Sequence, residues 1–331
     1  MKSFIGLTAA GIIALGFNAT PLLATAEYAQ FSTRGASELK LSANGSPKEQ
    51  SSGLDYEYIT EYSYGIFESL NLIAPRIQGG GSSEDLGSDY GIYDFLIKNG
   101  VGVDQASQFS KNVPTYWGDQ PILEAPAYIG ITVFFFALFG FFFTKGPLRN
   151  SLLLGTLFSL LLSWGKNMPF ITDLLIDYFP FYNKFRAVSS IQVVLEFCLP
   201  ISASIGLYNL FYKEKFDFKQ FIKIAVIPII LLVIIFLSKG MLSFSGLNDS
   251  YLREIYGSDL FSQIKEARVS VFQADILRGI LFCAVLIVII NLYEFNRIKR
   301  GLALGLLIFI LSLDLLSIAN RYVDRGACVS N

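Results

Sequence analysis

From Ile222 to Leu237 the chain is almost wholly Ile, Leu, Val and Phe, broken mainly by Lys223 near one end and by Pro228. A helix needs roughly 20 apolar residues to cross the hydrocarbon core, about 17 at the short end, so this run has the length of a span. Backbone polar groups in lipid must pair within their own segment, which makes such a run a helix. Further apolar stretches lie at about 3–24, 127–144, 148–164, 188–211, 276–293 and 301–319. The expected fold class is therefore an all-α polytopic membrane protein with about seven transmembrane helices and an external helical and irregular segment of about 100 residues. The organisation read from it is a first span in residues 1–25, an external polar segment in 26–126, a six-helix membrane domain in 127–320, and the start of a C-terminal external region in 321–331. The first stretch has a second reading. Lys2, the apolar run Phe4–Phe17 and Ala24-Thr25-Ala26 resemble a secretory signal with its cleavage site, and either reading leaves residues 27–125 outside.

Orientation follows from the short loops. Lys145 and Arg149 flank one turn, Lys213, Lys215, Lys219 and Lys223 fill another, and Arg297, Lys299 and Arg300 a third. With seven spans all three fall on one side, which the positive-inside rule makes cytoplasmic. The N-terminus is then cytoplasmic, and the C-terminus and residues 27–125 are external.

The 331 residues contain no histidine, which removes the usual general base and the commonest metal ligand. Cys198 and Cys283 lie in apolar runs and Cys328 near the end, so neither a disulfide framework nor a metal spacing is present, and no metal is assigned. A net charge of −1 offers no field for nucleic acid, so none is expected as a partner.

Polar residues at unusual places are the functional candidates. Lys166, Lys184 and Arg186 lie on one external connection, where positive-inside supplies no reason for them. They can hold a lipid phosphate by charged hydrogen bonds, or snorkel and pair with Asp173 and Asp177. Those acids sit four apart in Phe170–Phe179, a short helix for the outer interface that Pro180 ends. Glu196, midway along the fourth span, costs roughly 2.5–3.5 kcal/mol to insert and calls for a polar partner, either functional or structural. Asp314 in the last span raises the same question. In the polar segment Glu57, Glu61 and Glu68 accompany Arg34 and Arg76. Paired carboxylates such as Glu57 and Glu61 can do acid–base work or hold a metal, though a solvated face with structural salt bridges is the reading that this pattern favours. Asp55–Leu72 reads as helical, and Gly79-Gly80-Gly81-Ser82-Ser83 as a flexible loop without the features of a phosphate loop. Val113–Gly118 returns the chain to the bilayer with aromatics at headgroup depth.

Several segments share an order and spacing: Glu27–Gly35, Ser52–Tyr58, Tyr62-Ser63-Tyr64-Gly65, Pro75–Gly80, Pro114-Thr115-Tyr116-Trp117-Gly118, Ser163-Trp164-Gly165-Lys166-Asn167 and Tyr182–Arg186. Together they resemble the YfhO-like bacterial membrane proteins, of the Bacteroidetes type, over about residues 20–325. The resemblance implies a GT-C-like fold and a glycosyltransferase-like role in the cell envelope, with a polyprenyl-phosphate-sugar donor and a polyprenyl phosphate or anionic lipid as partner beside the bilayer. It also implies that the family's catalytic acid precedes the region matched here. The chain is then an incomplete central and C-terminal portion, its catalytic residue is unknown, and the isolated chain is expected to transfer no sugar. Two other classes remain open: a transporter or flippase-like protein with Glu196 and Asp314 on a polar pathway, and a non-enzymatic membrane assembly factor.

Overall fold

The computed structural model describes residues 2–32, 35, 54–179, 182–212 and 218–323. They form α1 (Lys2–Phe17), α2 (Ala19–Gln30), α3 (Tyr56–Thr60), α4 (Ile92–Lys98), α5 (Val103–Ser110), α6 (Ile131–Phe143), α7 (Pro147–Ser163), α8 (Pro169–Tyr178), α9 (Gln192–Tyr212), α10 (Phe218–Leu237), α11 (Asp249–Glu294) and α12 (Arg300–Tyr322). Among the described residues the only β element is an isolated bridge between Glu84 and Val113. Among the described residues four helical stretches are long and apolar enough to cross a membrane: Val188–Tyr212, Phe218–Met241, Asp249–Glu294 and Arg300–Tyr322. A fifth is added if α1 and α2, bent by 69°, count as one span.

Two expected spans are shorter than anticipated. The helix in 127–144 begins only at Ile131 and has 13 residues, about 20 Å, and α7 has 17, about 25 Å, against a hydrocarbon core of about 30 Å. Residues 127–130 are instead held outside the helix, where the Ile129 N–H donates to Leu72 O at 3.1 Å. The sixth expected span is only the end of a 46-residue helix, α11, with non-helical geometry at Gly257. From Ser258 onward α11 runs about 55 Å, well beyond one hydrocarbon thickness.

The chain divides into two compact units, residues 1–61 with 169–188, and residues 62–168 with 189–331. In the first, α1 and α2 carry outward-facing apolar side chains such as Ile12, Leu15, Phe17 and Leu23. α8 stands where an interfacial helix was expected. Phe170, Leu174 and Tyr178 form one exposed row on it, Thr172 is buried on the opposite side, and Asp173 and Asp177 border the row.

In the second unit α6 is the most enclosed helix. Phe135 and Phe139 are fully buried, and Phe139 stacks on Phe221 of α10 at 5.2 Å. α6 and α9 approach closely because small residues face each other. A Cβ on Gly140 would lie 2.0 Å from Ser202 O, and one on Gly206 2.2 Å from Phe136 O. Lipid supplies little hydrophobic drive between helices, so this backbone approach is what packing offers. The Ser202 hydroxyl completes it by donating to Ala137 O at 3.0 Å.

A second cluster lies at the other end of α11. Leu86, Ile92, Leu96, Ala106 and Val113 have too little apolar surface for a core of their own, and they pack on Ile264, Ala267 and Val271 of α11. The glycine run 79–81 is part of this packed region and is buried throughout, contrary to its reading as a flexible loop. Gly79 and Gly80 have φ of 90° and 86°, which a side chain resists, and Thr115 O and the Glu84 carboxylate occupy the space a Cβ would need. Glycine here serves close approach. Residues 55–72 also differ from the helix expected. They hold α3 and, after Tyr62–Gly65, a 3-10 turn Phe67–Leu72. Trp117, expected at headgroup depth, is buried against Phe244 at 5.1 Å and Phe67 at 6.3 Å.

Candidate functional site

The segments Tyr62–Gly65, Pro114–Gln120 and Ser163–Asn167, far apart in sequence, meet around one carboxylate. Glu68 lies in the 3-10 turn and is fully buried. Its Oε1 accepts from Tyr116 OH at 2.6 Å and from Gln120 Nε2 at 3.0 Å, and its Oε2 from the Gly65 N–H at 3.1 Å. The strand-like pairing of Tyr64 N–H with Ser163 O, at 2.9 Å, brings the end of α7 alongside. Asn167 Nδ2 then donates to Tyr64 O at 2.8 Å and to Asp119 Oδ2 at 3.3 Å, and Trp164 Nε1 donates to Ser69 Oγ at 2.7 Å. Lys166 closes this group. Its backbone N–H donates to Ser63 Oγ at 3.1 Å and its exposed ammonium to Asp119 O at 3.1 Å. The result is a half-buried carboxylate, Asp119, beside an ammonium, an amide and an indole, over a buried and fully engaged Glu68.

Burial pushes the Glu68 carboxyl above the ordinary carboxylate value, and the hydrogen bonds from Tyr116, Gly65 and Gln120 only partly offset it. Burial, and then the neighbouring Glu68, also push the Tyr116 phenol upward, so it stays a donor. A raised folded-state pKa contributes stability that is complete below the unfolded carboxylate value and is lost as pH rises through the folded one. The thermal midpoint of Glu68→Gln, relative to the unchanged protein, should therefore improve as pH rises above the ordinary carboxylate range. A difference that does not vary with pH would show that burial does not govern this carboxyl.

A second polar system links α11, α12 and the loop at Arg76. The Asp275 carboxylate, nearly inaccessible, receives Arg76 Nη2 at 2.8 Å, the Arg76 N–H at 3.1 Å and Arg321 Nη1 at 3.2 Å. One turn further on α11, Arg278 Nη2 pairs with Asp314 Oδ1 at 2.6 Å. Asp314 also accepts from Tyr128 OH at 2.5 Å, from the Thr132 N–H at 3.0 Å and from Thr132 Oγ1 at 2.7 Å. It thus caps the N-terminus of α6 from another helix, a favourable place for a carboxylate because the first N–H groups there have no partner within the helix. Glu84 accepts from the Gly81 N–H and Tyr322 OH, both at 2.6 Å. Burial raises its pKa, opposed by those donors and by Arg76 and Arg321. For Arg76, burial acts to lower the pKa, but Asp275 outweighs it and the guanidinium is held charged. Farther along α11, Arg268 is fully buried. It donates to Asp249 Oδ1 and to Phe244 O at 2.8 Å each and to Tyr116 O at 3.3 Å.

The candidates read from sequence separate on this background. Glu68 and Arg76 belong to the second unit but to different clusters. Glu57 is exposed on α3 and Glu61 lies just past its end, both in the first unit, so the shared helical face amounts to a single turn. Arg34 lies outside the described residues, as does Pro180. Glu196 is not mid-helix. The α-helix starts at Gln192, so Glu196 occupies its second turn and is exposed, with its charge felt by Tyr64. Asp314 is the most fully engaged carboxylate of the set, which accounts for its presence in a span by helix capping and ion pairing. Lys166 belongs to the Glu68 cluster. Lys184 and Arg186 belong to the other unit, where Arg186 Nη1 donates to Tyr58 OH at 2.6 Å and its guanidinium lies 4.9 Å from that ring.

Sequence reasoning missed Asp119, Arg268, Asp275, Arg278 and Arg321. Arg278 stood inside an expected span and should have prompted a search for a partner acid, which Asp314 supplies. Arg268 and Asp275 fell in residues 240–275, which were assigned to no element.

Comparison with family models, with curated proteins and with solved structures gives no match. Among the described residues no group of His, Cys, Asp and Glu is arranged to hold a metal.

Proposed function

We propose that the chain is the membrane-embedded part of a lipid-linked-sugar glycosyltransferase-like protein of the bacterial cell envelope, similar to the YfhO-like group. The observation that carries this reading is the convergence of the segments 62–65, 114–118 and 163–167. These pieces support the resemblance in sequence, and they assemble one polar cluster around Glu68, Asp119, Lys166 and Asn167. Such a cluster offers an ammonium for a phosphate and a carboxylate with an amide for hydroxyls. The transporter reading draws less support, because Asp314 is saturated by Arg278, Tyr128 and Thr132 and Glu196 lies near a helix start.

In this reading the chain has about seven spans, with the N-terminus inside, residues 27–125 outside, and a GT-C-like arrangement. α6 and α7 cross as short helices. Topology is tested by cysteine labelling of intact cells in a background without Cys328. A probe at Asp89, which is exposed, should react, and one at Gln220 should not. The opposite pattern would overturn the orientation. Ligand class is tested by native mass spectrometry with titrated polyprenyl phosphate. Retention of the lipid, weakened about tenfold or more by Lys166→Gln through loss of a charged hydrogen bond, is expected. No retention by the unchanged protein would refute the reading.

A further inference from the structure

The polar system around Asp275 holds more cations than anions. Arg76 and Arg321 share the one Asp275 carboxylate, at 2.8 and 3.2 Å, and Arg278 takes Asp314 at 2.6 Å. A guanidinium keeps its charge at any ordinary pH, so the balance is not restored by loss of a proton. Glu84 adjoins the group and is 3% exposed. It gives its Oε1 to the Gly81 N–H and to Tyr322 OH, and it is ion-paired to none of the three arginines. Burial also works against its ionisation. One positive charge is left over. Acceptors are short as well, because Arg76 Nε is buried without a partner. That atom is out of reach of any ligand and only marks the deficit.

The excess is accessible at one member. The side chains of Arg76 and Arg278 are 6% and 14% exposed, and that of Arg321 is 29% exposed. Arg321 engages Asp275 through Nη1 alone, at 3.2 and 3.3 Å from the two oxygens. Its Nε and Nη2 make no hydrogen bond to a described residue. Arg321 stands in the last turn of α12. It lies about 32 Å along the helix from Arg300, close to the hydrocarbon thickness of about 30 Å. With α12 crossing the bilayer, Arg321 is therefore at headgroup depth. The carbonyl end of α12 supplies roughly half a negative charge, which offsets only part of the excess.

We infer that Arg321 binds a phosphate group at the membrane surface. Nε–H and Nη2–H form one edge of the guanidinium fork, and that edge matches two phosphate oxygens. Asp275, buried and fixed by Arg76, holds Nη1 and so orients the free edge. At headgroup depth phosphate is the anion that every phospholipid presents, and free phosphate offers the same chemistry. The site shares no residue with the Glu68 cluster. The inference rests on α12 crossing the membrane, not on the glycosyltransferase reading.

The test is native mass spectrometry of the full chain in detergent, titrated with dioleoyl phosphatidylglycerol. Dioleoylglycerol, with the same acyl chains and no phosphate, is the reference lipid. The phospholipid should be retained in preference to the reference, and Arg321→Met should weaken it about tenfold or more, the loss of a charged hydrogen bond. Lys111→Met removes the same charge from an exposed position outside the cluster and should leave retention unchanged, as should Lys166→Gln. If Arg321→Met fails to fold, Arg321→Lys keeps a cation for Asp275 but lacks the free fork edge, and the same fall is expected. Millimolar inorganic phosphate separates the two sources. Little displacement assigns a lipid headgroup, and full displacement assigns free phosphate to the same site. Equal retention of the two lipids overturns the inference, and so does retention that neither Arg321 variant lowers. Loss of binding in Lys166→Gln with none at Arg321 would instead place the phosphate at the Glu68 cluster, so the two readings fail separately.

Discussion

Asp275→Ala is expected to destabilise the protein by about 3–5 kcal/mol, the cost of leaving a buried charge without its partner. The Arg76 side chain is only 6% exposed and that of Arg321 29%, so the first guanidinium bears most of the loss. Asp275 is also what joins the two. It accepts from α12 through Arg321 and from both the backbone and side chain of Arg76, so its removal loosens α11 from α12 and from the loop at Arg76 together. Thermal unfolding in detergent, followed by size-exclusion chromatography, measures the effect. Adding Arg76→Met to Asp275→Ala should restore part of the stability, because an apolar pair replaces an orphaned charge. A single variant that unfolds like the unchanged protein would mean that the three groups do not share one site.

Gly206→Leu is expected to cost about 3 kcal/mol through overpacking, with much of the protein lost to aggregation. A Cβ at this position already meets Phe136 O at 2.2 Å and Gly140 N at 2.8 Å, both backbone atoms that cannot rotate away. α6 and α9 would have to separate, losing the Ser202 to Ala137 hydrogen bond and exposing the central helix. Gly305→Leu is the matched control. It too lies in a helix long and apolar enough to cross a membrane, but no atom stands within 4 Å of its Cβ position, so its effect should stay within about 0.5 kcal/mol. Equal effects at the two positions would show that close packing does not set the requirement at Gly206, since helix propensity alone favours Leu over Gly at both.

The membrane helices were legible because their signal is local. A run such as 222–237 has to be helical wherever it packs, and the structure duly has α10 there. The helix at 170–179 was legible for the same reason, since its short apolar row and two acids repeat at helical spacing. Helix ends were less legible. The start of α6 depends on Asp314, 182 residues away, and on a backbone bond from Ile129 to Leu72. No window along the chain contains both partners.

The candidate site divides in the same way. Residue type and unusual location were enough to single out Glu68, Arg76, Lys166 and Asp314, because a charge near or within a membrane always requires an explanation. Which of them share a site was decided by tertiary structure alone. The Glu68 cluster assembles from three loops, and the Asp275 cluster from a loop and two helices, through pairs such as Arg76 with Asp275 that lie 199 residues apart. The burial that raises the Glu68 pKa and the close approach that requires Gly79 and Gly206 arise from those distant contacts. A local pattern carries the hydrophobic and hydrogen-bonding needs of its own segment, and that determined an all-helical chain with several membrane-length helices. The partners that satisfy a buried charge are chosen only when the segments fold together.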